Sequence, residues 1–182
     1  MWRVEEHRRV DKQLAGSAPE EILKRHEKWK DIAVISGPPS LRAIKGFRDE
    51  TLAGEWKGYR SSRLGLQWRV IYRACSQSSY CFRSSMLRRM TAGGLEMKAF
   101  RPARKRIKVS VGESVRIVRE LQGLSQNKLA EITGIPQATI SAIENDRVRL
   151  GVERAKALAR ALKCRPAVLV FPGWETAVNS AA

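Results

Sequence analysis

The sequence predicts two domains of different fold class, an α+β domain in the N-terminal half and an all-α domain in the C-terminal half. Helical spacing of apolar residues over 19–34 is followed, from Lys57 onwards, by short runs in which basic residues alternate with apolar or aromatic ones. From Gly112 onwards only helical spacing recurs, interrupted by short turns. A chain of 182 residues has room for one large domain or two small ones.

The N-terminal domain is assigned to residues 1–75, and we expect it to contain two helices and a small antiparallel sheet. The helices are predicted over 8–14 and 19–34, where apolar residues recur at every third or fourth position. Short strands are predicted over 2–5, 59–64 and 67–74.

The net charge of +17 is distributed unevenly along the chain, with its densest part in residues 76–106. That segment has a net charge of +7, compared with +6 for residues 1–75 and +4 for residues 107–182. It contains runs of small polar residues and a basic run with a proline, which is typical of a linker. We interpret 76–106 as a basic linker or as a degraded end of the first domain, whose sheet would then be truncated.

The composition favours some classes of protein and argues against others. A net charge this positive favours a polyanionic partner, most often nucleic acid. No apolar run approaches the roughly 20 residues of a membrane span, and charged residues fill the N-terminal positions that are apolar in a signal peptide. The three cysteines lack CxxC spacing, which argues against a zinc finger or a disulfide scaffold. We therefore expect a cytoplasmic protein that has no metal, cofactor or membrane partner.

Residues 107–182 are predicted to form the all-α domain, with helices over 112–122, 125–133, 136–145 and 151–162. Ser125 is expected to cap the second helix, and Gly134 to supply the positive φ of a tight turn. Pro136 can occupy the first position of the third helix, where no N–H is needed. The residues predicted to face inward on these two helices are Leu129, Ala130, Ile132, Ile140 and Ile143.

The stretch SQNKLAEITGIPQATISAIENDR, residues 125–147, resembles the helix-turn-helix of the lambda-repressor/Cro (XRE) family. The resemblance implies that the helix after the turn lies in the major groove of operator DNA and that a homodimer binds two half-sites. Glutamine can pair with adenine, and threonine or serine with several bases. The residues expected to contact DNA, at base edges or near phosphates, are Gln126, Gln137, Ala138, Thr139, Ser141, Asn145 and Arg147.

Residues 1–74 resemble the toxins of the RelE/HigB superfamily, most specifically over Gly54–Arg73, GEWKGYRSSRLGLQWRVIYR. The resemblance implies a ribosome-dependent ribonuclease (an mRNA interferase) with mRNA and the ribosome as partners. Arginine suits such a site because its planar fork binds phosphate oxygens and stays charged. By matching the motif, Arg60 and Arg69 would be the catalytic, phosphate-stabilising pair, and the RNA-binding residues would be Lys57, Arg63 and Arg73.

Together the two resemblances imply a fused type II toxin–antitoxin protein, with a HigA-like antitoxin in the C-terminal half that represses its own promoter. The toxins of this group continue past the strand that ends here at Arg73, and a catalytic residue often lies near the end of that continuation. Residues 76–106 have no clear equivalent, so we expect the nuclease to be impaired, or to be neutralised by the tethered antitoxin. Two alternatives stay open: an active mRNA endonuclease, and a plain transcriptional regulator with an N-terminal sensor domain.

Overall fold

The computed structural model describes residues 2–7, 9–10, 13–14, 18–75, 81–87 and 100–173. The N-terminal half is built around a six-stranded sheet with the strand order β2-β3-β4-β5-β1-β6. The strands are β1 (Arg3–His7), β2 (Glu50–Thr51), β3 (Arg60–Arg63), β4 (Arg69–Cys75), β5 (Cys81–Leu87) and β6 (Phe100–Pro102).

The sheet is mixed rather than antiparallel, which corrects the expectation from the sequence. β1 lies between β5 and β6 and runs parallel to β5, whereas the other pairings described are antiparallel. Parallel neighbours need a long crossover connection. The chain provides one, because helices and three other strands lie between β1 and β5 in the sequence.

The sheet also continues past β4, into the segment that was interpreted as a linker or a degraded end. β5 pairs with β4 along its whole length, from Arg69 opposite Leu87 to Cys75 opposite Cys81. The sequence CFRSSML lacks the alternation that predicts a strand, but a strand with neighbours on both sides is held by backbone hydrogen bonds. Residues 76–106 thus contribute two strands, β5 and β6, and the boundaries 1–75, 76–106 and 107–182 remain predictions.

The long helix α1 (Glu20–Ser36) packs against one face of this sheet. The ring of its fully buried Trp29 lies 5.3 Å from the ring of Tyr72 on β4. α1 is followed directly by the short helix α2 (Pro38–Ala43), and single-turn 3-10 helices lie at Lys45–Phe47 and Gly54–Trp56. Before α1, residues 9, 10, 13 and 14 are helical, and the rest of the helix predicted over 8–14 lies outside the described residues.

The C-terminal domain consists of helices, as predicted: α3 (Val111–Leu121), α4 (Gln126–Thr133), α5 (Gln137–Glu144), α6 (Val152–Ala161) and α7 (Pro166–Val170). Leu129, Ile140 and Ile143 are buried as expected. Ile132 was expected to face inward but is 51 % exposed. The buried residue of α4 is Leu129. Within the described residues, no helix is long and apolar enough to cross a membrane.

The two halves pack against each other through α1, which contacts the sheet on one side and α3 and α7 on the other, and through the first 3-10 helix, which contacts α3. Lys24 of α1 forms an ion pair with Glu113 in the first turn of α3, at 2.6 Å. Lys28 of α1 donates a hydrogen bond to the carbonyl of Val168 in α7, at 3.0 Å. The sheet, α1 and the C-terminal helices therefore form three successive layers, and the apolar residues between the layers form one continuous core.

Candidate nucleic-acid interface

The turn between α4 and α5 is fixed by local backbone chemistry. Ser125 is the N-cap of α4, and its hydroxyl accepts the backbone N–H of Lys128 at 3.0 Å. Gly134 ends α4 with φ 70°, a conformation that costs glycine little and other residues more. Pro136 is the N-cap of α5 rather than its first residue, and its carbonyl accepts the N–H of Thr139 at 2.9 Å. Gln137 is consequently the first residue of α5.

A buried ion pair attaches the end of α5 to α3. Arg119 of α3 donates from Nε to Oε1 of Glu144 at 2.6 Å and from Nη2 to Oε2 at 2.9 Å. A third donor, Nη1, reaches the carbonyl of Leu124 at 2.7 Å. Glu144 is only 3 % exposed, and a carboxylate at that depth is tolerated because it is paired and hydrogen-bonded. The hydrogen bonds that Arg119 donates to this carboxylate raise the pKa of Arg119.

The same carboxylate begins a chain of hydrogen bonds that reaches the start of α5. Gln126 donates from Nε2 to Oε2 of Glu144 at 2.8 Å, and Gln137 donates from Nε2 to Oε1 of Gln126 at 2.7 Å. Both glutamines begin a helix, and Gln137 is exposed at the surface. The buried ion pair therefore orients an exposed amide, and we name this chain of four residues the glutamine relay: Arg119, Glu144, Gln126 and Gln137.

The other residues predicted to contact DNA lie along α5 or just after it. Helical spacing places Gln137, Ser141 and Asn145 in one row, with Ala138 beside them. Ala138, Asn145 and Arg147 are exposed, and Thr139 and Ser141 are half-buried. Asn145 donates from Nδ2 to the carbonyl of Ser141 at 2.8 Å.

The loop that carries Arg147 is anchored to the first turn of α3. Asp146 has φ 55°, and its carboxylate accepts the N–H of Gly112 at 2.8 Å as well as the Ser110 hydroxyl. Gly112 has no room for a side chain, because a Cβ there would lie 2.3 Å from the carbonyl oxygen of Ile143. The end of α5 thus packs directly on the α3 backbone.

In the N-terminal sheet, Arg60 is bound to a buried carboxylate. The side chain of Asp49 is fully buried and accepts hydrogen bonds from Arg60 Nε at 2.6 Å, Ser62 Oγ at 2.7 Å and Tyr72 Oη at 2.7 Å. Burial and the neighbouring Asp49 carboxylate raise the pKa of Tyr72, so its hydroxyl stays a donor. This cluster lies on the face of the sheet that α1 covers, because Tyr72 contacts Trp29.

The structure does not bring Arg60 and Arg69 together. Arg60 is opposite Tyr72 and Arg63 is opposite Arg69, and side chains alternate between the two faces along each strand. Arg69 therefore lies on the face away from α1, where it pairs with Glu50 and donates to Ser61 Oγ at 3.0 Å.

Two of the three predicted RNA contacts lie on that second face. Arg63 and Arg73 share it with Arg69, and the guanidinium of Arg73 lies 5.9 Å from the centre of the Tyr59 ring. Lys57 is exposed at the end of the second 3-10 helix. Their roles in binding RNA remain predictions.

A family model for helix-turn-helix proteins, HTH_3, matches residues 115–169. Residues 115–169 are a helix-turn-helix domain. The match begins within α3 and ends within α7, so it includes the ion pair, the turn and the whole of α5. The helix-turn-helix resemblance in the sequence is thereby confirmed, whereas the family match does not extend to the N-terminal half.

The solved structures that are similar to this chain include a repressor and a controller protein. One is the P22 c2 repressor protein in complex with the synthetic operator 9T, 28 % identical, with 36 % of this chain and 98 % of that chain covered and a TM-score of 0.35. The other is the restriction-modification controller protein C.AhdI from Aeromonas hydrophila, 30 % identical, with 34 % and 92 % covered and a TM-score of 0.33. No curated protein shows a significant match.

The buried ion pair of the helix-turn-helix domain was not predicted from the sequence. One signal for it was present, since Arg119 follows Val115 by one helical turn and so falls on the face that α3 buries. A charged residue on a buried face needs a partner. The partner, Glu144, is 25 residues away, and nothing in the local pattern distinguishes it from an exposed glutamate.

Proposed function

We propose that this protein is a transcriptional regulator that binds operator DNA through its helix-turn-helix domain. The observation that carries the proposal is the glutamine relay, which holds the exposed Gln137 amide at the start of α5. A helix in the major groove reads bases with the residues of its first turns. An amide that is oriented before DNA binds loses less side-chain entropy on contact.

The proposed roles follow the positions of the side chains. Gln137 and Ser141 would meet base edges, because they lie in the same row of α5 and Gln137 is exposed. Thr139 is half-buried and lies two residues after Gln137, so it faces a different side of α5. Ala138 is exposed and offers an apolar contact. Asn145 and Arg147 lie past the end of α5 and would contact phosphates, together with Gln126. Two copies of the chain would bind two half-sites as a homodimer.

The test uses the full-length protein and a duplex selected from a random pool by that protein. Fluorescence anisotropy is expected to give an affinity for the selected duplex about a thousandfold or more above that for an unrelated duplex. Arg147→Ala should weaken both affinities and reduce the salt dependence by about one released counterion. Arg42→Ala, at an exposed arginine of the N-terminal domain, is the matched control. Equal affinity for the two duplexes would contradict the proposal.

We propose further that the N-terminal half is a RelE/HigB-like toxin domain with an impaired nuclease, so that the chain is a fused toxin–antitoxin regulator of its own promoter. The placement of Arg60 and Arg69 supports the impairment. They lie on opposite faces of the sheet, and each is held by a carboxylate, Asp49 or Glu50. A single phosphate could not reach both guanidinium groups, and at each one it would have to displace an anion.

The helix-turn-helix domain packs on the side of the sheet opposite to the predicted RNA-binding arginines. That domain contacts α1, which lies on the Tyr72 face of the sheet, whereas Arg63, Arg69 and Arg73 lie on the other face. Expression of the full chain is expected to leave cell growth and mRNA intact. Growth arrest that is relieved by Arg60→Ala together with Arg69→Ala would favour the alternative, an active mRNA endonuclease.

A further inference from the structure

One helix, α3, is shared by the two halves of the molecule. Its C-terminal end touches the N-terminal domain at Gly46, in the first 3-10 helix. A Cβ on Gly46 would lie 2.5 Å from the carbonyl oxygen of Leu121 and 2.9 Å from its Cα. Both atoms belong to the backbone and cannot move independently of the helix, so the two domains are in contact without room for a methyl group.

The next residue along, Gln122, joins three segments of the chain. It is 7 % exposed, and its Nε2 donates to the carbonyl of Ala43 at 3.1 Å and to the carbonyl of Leu162 at 2.8 Å. Ala43 ends α2 in the N-terminal domain, and Leu162 follows α6 in the helix-turn-helix domain. Both amide hydrogens of one buried side chain are thus used, one on each domain.

A second contact at α7 resists separation of the two halves. Lys28 is fully buried, and its Nζ donates to the carbonyl of Val168 at 3.0 Å and to Asp31 Oδ2 at 2.8 Å. Asp31 in turn accepts the backbone N–H of Gly173 at 3.0 Å through Oδ1. A buried ammonium needs its partners, so lifting α7 away from α1 would leave this group under-bonded.

The contact at Gly46 lies close to the residue that orients the DNA-facing amide. Arg119, the first member of the glutamine relay, is two residues before Leu121 on the same helix. The N-terminal domain therefore holds the end of α3 from which the relay starts. A shift of that end would move the guanidinium against Glu144, and with it the hydrogen bonds of Gln126 and Gln137.

From this placement we propose that the N-terminal domain contributes to sequence-specific DNA binding. Gly46 and Gln122 act as positioning residues for the recognition helix α5. The inference rests on the proposed function, since it concerns the same DNA-binding site. The contact between the two domains and the binding of DNA are then coupled reciprocally. A contact that favours DNA binding is itself favoured by bound DNA, by the same factor.

The experiment compares full-length Gly46→Ala with full-length Gly65→Ala. Gly65 lies in the same domain, where an added Cβ meets no backbone atom but the end of the Ile22 side chain, its Cδ1 at 2.7 Å and its Cγ1 at 4.0 Å. Affinities for the selected duplex and for an unrelated duplex are measured, along with the thermal melt and the hydrogen exchange of residues 119–123. Gly46→Ala is expected to raise that exchange and to weaken binding of the selected duplex about fivefold or more. Gly65→Ala should match the wild type in both.

Loss of selectivity separates positioning from simple loss of fold. Gly46→Ala should retain its affinity for the unrelated duplex, which an unfolded domain would lose. Faster exchange with unchanged affinity would overturn the inference, and so would unchanged exchange, since the contact leaves no room for a methyl group. If Gly46→Ala fails to fold, Gln122→Met, which removes the hydrogen bonds of the Gln122 amide to both domains, must weaken selected binding in the same way. A wild-type protein that binds both duplexes equally would instead refute the proposed function.

Discussion

Replacing Arg119 with methionine measures how strongly the buried ion pair holds the helix-turn-helix domain together. Methionine keeps most of the apolar length of the side chain but removes the three donors that reach Glu144 and Leu124. Glu144, whose side chain is 2 % exposed, would then keep, among the described residues, only the amide of Gln126 as a hydrogen-bond partner. Removing one member of a buried pair costs about 3–5 kcal/mol because the other charge stays buried. We expect that loss in the free energy of unfolding.

Urea denaturation of three variants distinguishes the contribution of the buried ion pair to the unfolding free energy from that of an exposed ion pair. Arg119→Met should be the least stable, and the double variant Arg119→Met with Glu144→Met should recover part of the loss, because no unpaired carboxylate remains buried. Lys156→Met, which breaks an exposed pair with Glu153, should leave the unfolding free energy unchanged within error. If Arg119→Met costs less than about 1 kcal/mol, as exposed pairs do, the pair is solvated and the reasoning is refuted.

Three further predictions concern the stability of the fold. Ser125→Ala should cost about 1 kcal/mol in urea denaturation, since the N-cap hydroxyl on Lys128 is lost; a smaller loss for Ser125→Asp would support capping. Gly134→Ala should cost about 1–2 kcal/mol by the same measurement, because alanine is strained at φ 70°. Burial, with Lys30 and Arg106 nearby, holds the pKa of His26 well below its usual 6.5. Stability should therefore fall as the pH drops below 6.5, since only the unfolded chain takes up the proton, and His26→Leu should flatten that fall.

The helix-turn-helix domain was predictable because its signals are local. Ser125 caps a helix within three residues, and Gly134 takes the positive φ that the turn needs, so the sequence alone places α4 and α5. Pro136 was placed one position too far inside α5, since a proline at the N-cap and one at the first position have the same local signature.

The sheet and the contacts between the domains were less predictable, because they depend on pairings distant in the sequence. β5 was missed because its sequence, CFRSSML, has no alternation, and β1 became a parallel strand through a crossover that local spacing does not encode. The side chains of Arg60 and Arg69 were expected to meet. Register decides this, and a pairing of Arg63 with Arg69 sends Arg60 to the opposite face.

The central claim is that the first turn of α5, which carries Gln137 and Thr139, reads DNA, and one selection experiment tests it directly. The full-length wild type and the full-length variant Gln137→Ala with Thr139→Ala each select duplexes from the same random pool, after circular dichroism has verified that both are folded. The wild type is expected to enrich a defined pair of half-sites, and the variant to lose that preference while keeping weak, salt-sensitive binding. If both proteins enrich the same sequence, α5 is not the reading helix.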